Sequence, residues 1–330
     1  MLILTANEVR QALPMHECIA AMKQAYAALS GGAAEVPLRS RLNVAPHEGL
    51  SILMPAFVDG ASVAEQALAV KLVSLFNKNP SRGLPLINAV VLAFDPETGA
   101  LQAILEGAAV TAIRTGAGCG AATDVLARPD ACTVAVFGAG VQARTQLAAA
   151  CEVRDIQTAW VYSPNPEQAA AFIAEMAGVG RIPKDLRAAA SPQEAAANAD
   201  IISTATTSPT PVFAAADVRP GTHINAAGSY TADAIEVPSE LVSRAYVTVD
   251  SRSATQAESG EIAMTLQQGL MAADDIHEIG AVLNGQAAGR SAAEQITFFK
   301  SVGVAVQDAM AARVAVANAR KLGIGTQVAW

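Results

Sequence analysis

One stretch restricts the fold more than any other: 133-TVAVFGAGVQARTQ-146, a β-branched apolar run, then GAGVQA, then a helical run. Gly138, Gly140 and Ala143 match G-x-G-x-x-G/A. The first glycine permits a tight turn, the second lets backbone approach a pyrophosphate, and the alanine lets helix pack closely on strand. The helix N-terminus, with Val141 and Gln142 at the turn, then faces the phosphates. The motif alone is common, and its weight comes from context. From Cys132 onward, strand-like runs (CTVAVFG, TAWVYS, DIISTAT, HINAAG, AYVTVDS) interleave with helical ones (VQARTQLAAACEV, PEQAAAFIAEMAG, SPQEAAANA). That rhythm predicts a parallel, doubly wound α/β sheet, a Rossmann dinucleotide-binding domain over about 121–299.

The flanking segments read differently. Thr5 followed by Glu8 is a capping box, and apolar residues then recur at helical spacing through about Leu29. Short apolar runs over 50–75 and 85–105, separated by NKNPSRGLP and DPETG, predict an antiparallel or mixed sheet. A helix follows around AAVTAIRTGAGCGAATDVLA. The tail from Ser291 reads as one or two long amphipathic helices that return to the first domain. The expected layout is therefore a second α/β domain made from both chain ends, residues 1–120 and 300–330.

Composition removes whole classes of function. With 52% hydrophobic and 16% charged residues over 330 positions, the chain has ample core material. A net charge of −8 without a basic cluster argues against nucleic-acid binding. No apolar run is long enough for a membrane span, and the N-terminus lacks a signal-peptide pattern. Cys18, Cys119, Cys132 and Cys151 show no CxxC or zinc spacing and read as reduced, mostly buried thiols of a cytoplasmic protein. The four scattered histidines give no metal site.

Two further positions carry chemistry. Lys71 interrupts the apolar run ALAVKLVSLF, and a lysine at a buried strand position is expensive unless paired or neutral. The second strand of the nucleotide domain ends in Ser163-Pro164-Asn165, where an acidic residue would hold the 2′-hydroxyl of NAD. Without that carboxylate a 2′-phosphate is not repelled, so NADP(H) is the preferred cofactor and NAD(H) the alternative. Ser163 also suits a cap for the next helix.

Taken together, R39, K71, NPSRGLP, FDPETG, TAIRTGA, GAGVQAR, STATTSPTPVF, PGTHINAAGS, VDSRSA with ESGEI, and FKSVGVAVQD occur in the order seen in one family. The chain resembles the ornithine cyclodeaminase/μ-crystallin family over nearly its whole length. The resemblance implies a homodimer formed through the second domain and a small imine or amino-acid substrate. It implies that Arg39, with Arg41 as fallback, grips the substrate carboxylate, and that Lys71 partners it and donates a proton. It assigns Arg114, Thr204, Thr206, Ala226 and Ser301 to the cofactor and Val302 to the substrate; Tyr230, where this chain departs from the cyclodeaminase pattern, is expected to cover the substrate ring or donate a weak hydrogen bond to it.

The stretch 223-HINAAGSYTADAIEV-237 separates the family's reactions. Cyclodeaminases resemble NAxGGDxPGKxE here, with a catalytic aspartate. Anchored on NA and on Glu236, that aspartate falls on Tyr230 and the lysine on Ala234. Tyrosine, with a solution pKa near ~10, is a poor substitute for a carboxylate base at neutral pH. Asp233 reads as a carboxylate at a helix N-terminus. The expected reaction is therefore reduction of a cyclic imine acid: Δ1-pyrroline-2-carboxylate to L-proline, with Δ1-piperideine-2-carboxylate to L-pipecolate as a second substrate. The alternatives are ornithine cyclodeaminase, alanine dehydrogenase, and a non-catalytic NADPH-binding protein.

Overall fold

In the computed structural model, which describes residues 1–229 and 231–329, the chain folds as two compact units, Met1–Arg114 with Val304–Trp330, and Thr115–Gly303. The first unit begins with β1 (Leu2–Leu4) and α1 (Ala6–Ala12). The capping box is formed: the Thr5 amide donates to the Glu8 carboxylate at 2.8 Å. The single helix expected through Leu29 is in fact two, because α2 (Met15–Ser30) starts afresh after Pro14. Proline lacks the amide proton a continuous helix needs, and its ring would strike the carbonyl of the preceding turn. Cys18, Ile19, Met22, Ala25 and Tyr26 form the buried face of α2.

The strands β2 (Ala34–Glu35), β3 (Ser40–Val44), β4 (Gly49–Val58), β5 (Ala67–Phe76), β6 (Ile87–Phe94) and β7 (Leu101–Glu106) follow, and then α3 (Gly107–Leu126). β4 through β7 pair antiparallel in sequence order, and β1 adds to β7 in parallel, so the sheet is mixed. Side chains alternate across it. Ala67, Ala69 and Lys71 lie on the buried face of β5, while Leu72 on the opposite face is 37% exposed.

The second unit contains β8 (Thr133–Phe137), α4 (Val141–Val153), β9 (Thr158–Tyr162), α5 (Pro166–Met176), β10 (Leu186–Ala188), α6 (Pro192–Ala197), β11 (Ile201–Thr204) and β12 (His223–Ala226). It continues with α7 (Ser239–Val242), β13 (Tyr246–Val249), α8 (Arg252–Glu258), α9 (Gly260–Gln267), β14 (Ile276–Glu278), α10 (Ile279–Leu283) and β15 (Thr297–Lys300). The strand order is β10-β9-β8-β11-β12-β15-β13-β14, with every pairing parallel. Each face carries its own core. One side holds Val134, Val136, Leu147 and Phe172, and the other Phe137, Ile202, Ile224 and Phe298. The order reverses between β8 and β11, and a doubly wound sheet opens its ligand crevice at such a point.

The TFFK segment corrects the expectation of continuous helix in the tail. It is a strand, β15, inserted between β12 and β13 with all four residues buried. Periodicity cannot tell a four-residue buried strand from a helix segment, and the aromatic pair favours the strand. Helix comes only after it, as α11 (Ala305–Leu322), which ends at Gly323 with φ +66°. α11 packs in the first unit, and β16 (Thr326–Gln327) pairs with β1.

Candidate active site

In the second unit, GAGVQA forms the turn from β8 into α4. Gly138 has φ +102°, and a Cβ there would lie 2.5 Å from the Ala205 carbonyl oxygen, so glycine is required on two grounds. Gly140 is the N-cap of α4, and a Cβ there would meet open space. No side chain caps α4, which leaves its first amides available to an anion. Ala143 is fully buried where helix meets sheet. Val141 is exposed, and the Gln142 side-chain oxygen is buried without a partner among the described residues.

Gly138 and Gly140 border a cleft of about 560 Å³, lined also by Tyr162, Ser163, Pro192, Thr206 and Ser208. Ser163 Oγ accepts from the Asn165 amide at 3.2 Å, and Asn165 caps α5 by accepting from the Glu167 amide at 2.9 Å. Arg144, one turn into α4, is held by the Glu175 carboxylate and by the carbonyls of Ala139 and Gly140. Thr204 and Thr206 both donate to Glu236. Ala226 ends β12, and its carbonyl accepts from the Ser301 amide at 3.1 Å. Asp250 gathers Ser301 Oγ at 2.8 Å and the amides of Val302 and Gly303 at 2.9 and 2.7 Å.

In the first unit, Lys71 meets a partner that sequence reasoning missed. Its Nζ lies 2.7 Å from Oδ2 of Asp308, on the first turn of α11. Arg114 Nε donates to the other oxygen of the same carboxylate at 3.2 Å, and Nη1 to Gln307 Oε1 at 3.0 Å. Gln307 in turn donates to the Tyr26 hydroxyl at 2.7 Å. Lys71, Arg114 and Asp308 are 3%, 6% and 1% exposed, so one buried carboxylate serves two buried cations. The Nη2 end of Arg114 has no partner among the described residues. Burial pulls the Lys71 ammonium down, Asp308 pulls it up, and Arg114 and Arg39 push it down again; the net value is about 8. Arg39, half-buried just before β3, thus acts on this cluster through its field, whereas Arg41 lies exposed on β3.

Asp308 and Gln307 stand in the first turns of α11, residues 305–312, which are otherwise alanine, valine and methionine. A lone carboxylate on an apolar helix face is the signal that could have found them. Tyr230 lies outside the described residues. Among the described residues no group of three or more histidine, cysteine or acidic side chains could hold a metal, and no helix is long and apolar enough to cross a membrane.

The family model for the ornithine cyclodeaminase/mu-crystallin family matches residues 1–322. A Δ1-pyrroline-2-carboxylate reductase of Bacillus cereus is 37% identical over 333 residues, covering 99% of each chain. The solved structure of Thermococcus litoralis Δ1-pyrroline-2-carboxylate reductase in complex with NADH and L-proline superposes with a TM-score of 0.92 at 40% identity, covering 99% of this chain and 100% of that one. An archaeal alanine dehydrogenase dimer with bound NAD gives 0.90 at 31% identity, covering 100% and 99%. Glycine loop, parallel sheet and matches over essentially the full length agree: the chain belongs to the ornithine cyclodeaminase/mu-crystallin family.

Proposed function

We propose that the chain is an NAD(P)H-dependent reductase of cyclic imino acids, taking Δ1-pyrroline-2-carboxylate to L-proline and accepting Δ1-piperideine-2-carboxylate as a second substrate. The observation that carries this is the buried Lys71–Asp308–Arg114 cluster, two cations on one carboxylate. Its excess positive charge suits a substrate that brings a carboxylate. Arg39 supplies guanidinium donors for that group, and Arg114, which the family resemblance assigns to the cofactor, is proposed here as a second donor through its Nη2 end. Lys71, held near 8, is mostly protonated at neutral pH yet can release its proton. It donates to, or keeps protonated, the imine nitrogen, which makes the adjoining carbon electrophilic. A bound reduced nicotinamide supplies the hydride that this carbon accepts. Asp308 then remains as the anion that stabilises Lys71 for reprotonation. The Thermococcus relative is in complex with NADH and L-proline, which supports the same two ligands here.

For the cofactor we propose use of both NADPH and NADH, with NADPH favoured because no carboxylate stands after β9. Ser163 and Asn165 remain the residues at the 2′ position. Arg144 is already committed to Glu175 and to backbone carbonyls, which keeps the preference small. Comparing turnover with the two at equal concentration checks this, and strong discrimination toward NADH would overturn it.

We also propose a homodimer in the cytoplasm, a compartment that suits four free cysteines. The sheet face of the first unit opposite Lys71 carries Leu53, Leu72 and Val90 in one cross-strand row and Phe57, Leu68 and Phe94 in another. A second copy would cover this apolar surface, as the dimeric state of the alanine dehydrogenase suggests. Light scattering should give twice the chain mass, and a monomer at micromolar concentration would contradict it.

The reaction is tested by cofactor oxidation with each imine, with pyruvate plus ammonia, and with ornithine. Turnover with the pyrroline acid is expected. Ammonia release from ornithine without oxidation of cofactor by either imine would reverse the assignment.

A further inference from the structure

Glu236 is completely buried, and its carboxylate accepts five hydrogen bonds from two separate strand ends. At the end of β11 stand Thr204 Oγ1 at 3.0 Å, the Thr206 amide at 2.7 Å and Thr206 Oγ1 at 2.8 Å. After β12 come the amides of Gly228 and Ser229, at 2.9 and 3.0 Å. No cation contacts this carboxylate among the described residues. The fit is close enough to dictate sequence: a Cβ on Gly228 would sit 2.4 Å from the Glu236 carboxylate and 2.5 Å from the Thr206 amide.

A second buried pair supports the first. Glu261 accepts from the Glu236 amide at 2.9 Å, and Lys300 joins Glu261 at 2.9 Å while donating to the carbonyl and hydroxyl of Ser229 at 2.9 and 2.7 Å. Ser229 is therefore fixed through its amide, hydroxyl and carbonyl.

Its location indicates its use. In a doubly wound sheet the dinucleotide lies across the carboxyl ends of the strands. The adenosine half goes to the side of the second strand, here β9 with Ser163, and the nicotinamide half to the other side. β11 and β12 form that other side, and Thr206 lines the cleft. We propose that Glu236 is a positioning residue that locks the ends of β11 and β12 into the wall receiving the nicotinamide half of the cofactor. This rests on the dinucleotide reading of the cleft. It assigns no contact between Glu236 and the cofactor itself.

Two ligands separate this role from a general structural one: NADH, and ADP-ribose, which lacks the nicotinamide. Glu236→Gln places an NH₂ donor among five donors, so the wall must shift. Calorimetry on the variant should show NADH binding weakened about tenfold, the order expected for one lost buried acceptor. ADP-ribose should stay within about twofold. Thr204→Val, which deletes a single donor and keeps the side-chain shape, should give the same selectivity with a smaller loss, and it serves if Glu236→Gln does not fold. Equal weakening of both ligands, or no change in either, would overturn the proposal. Parent protein that binds neither ligand would instead overturn the dinucleotide reading beneath it.

Discussion

Each unit of this protein buries a lysine on a strand, and the two are arranged in opposite ways. Lys300 has three acceptors for its three N–H groups, and Glu261 as a counter-ion. Burial pushes the Glu261 carboxyl up, but Lys300 and the surrounding donors hold it below its ordinary value. Among the described residues Lys71 has Asp308 alone, and must share it with Arg114. The first arrangement satisfies a charge completely and leaves nothing for a ligand. The second leaves a positive excess and a proton held loosely. On the proposed reading, what distinguishes Lys71 as a proton donor from the structural Lys300 is therefore the number of acceptors per cation, and burial does not separate them.

The comparison can be broken at its strongest point. Lys300→Met leaves Glu261 buried without its cation and should cost about 3–5 kcal/mol of stability, read from denaturant unfolding. A cost near zero would mean that the second unit does not depend on this pair. Lys71→Met leaves Asp308 still bonded to Arg114, so the fold should survive. Turnover should fall by about 10²–10⁴-fold, with NADH affinity unchanged within about twofold. Retained turnover would remove Lys71 from the chemistry.

Asp308→Asn sharpens the account of how Lys71 is set. The aspartate charge raises the lysine against burial and against Arg114, so its loss should move Lys71 below about 8. The alkaline limb of the activity profile should then shift to lower pH, and a limb that stays in place would assign it to another group.

Much of this was legible in the residues, for identifiable reasons. The nucleotide unit was readable because glycine at 138, alanine at 143 and the βα rhythm each answer a local steric demand. Lys71 was readable as a charge in an apolar run. Asp308 was not, because its meaning depends on a contact across 237 positions from Lys71, which no local pattern records. The role of Glu236 is not legible in the sequence, since its five donors come from two strand ends brought together by strand order. Likewise, β15 hid in the tail because its four buried residues take their strand identity from β12 and β13 on either side.

With Lys71 as the proposed proton donor, its titration would couple activity and stability with opposite signs. Its folded value of about 8 lies below the unfolded 10.5, so the unfolded chain binds more protons between those limits. Relative to Lys71→Met, the parent should therefore gain stability as pH rises through that window, while its turnover declines. A parallel decline in both would place the titrating group elsewhere.

The most direct measurement is turnover of Δ1-pyrroline-2-carboxylate with NADPH against pH, in the parent and in Lys71→Met. The parent is expected to hold a plateau at neutral pH and fall as pH rises through about 8, with the variant low throughout. A parent rate that is flat across that range, or a variant that keeps the parent's profile, would contradict the assignment of Lys71 as the proton donor.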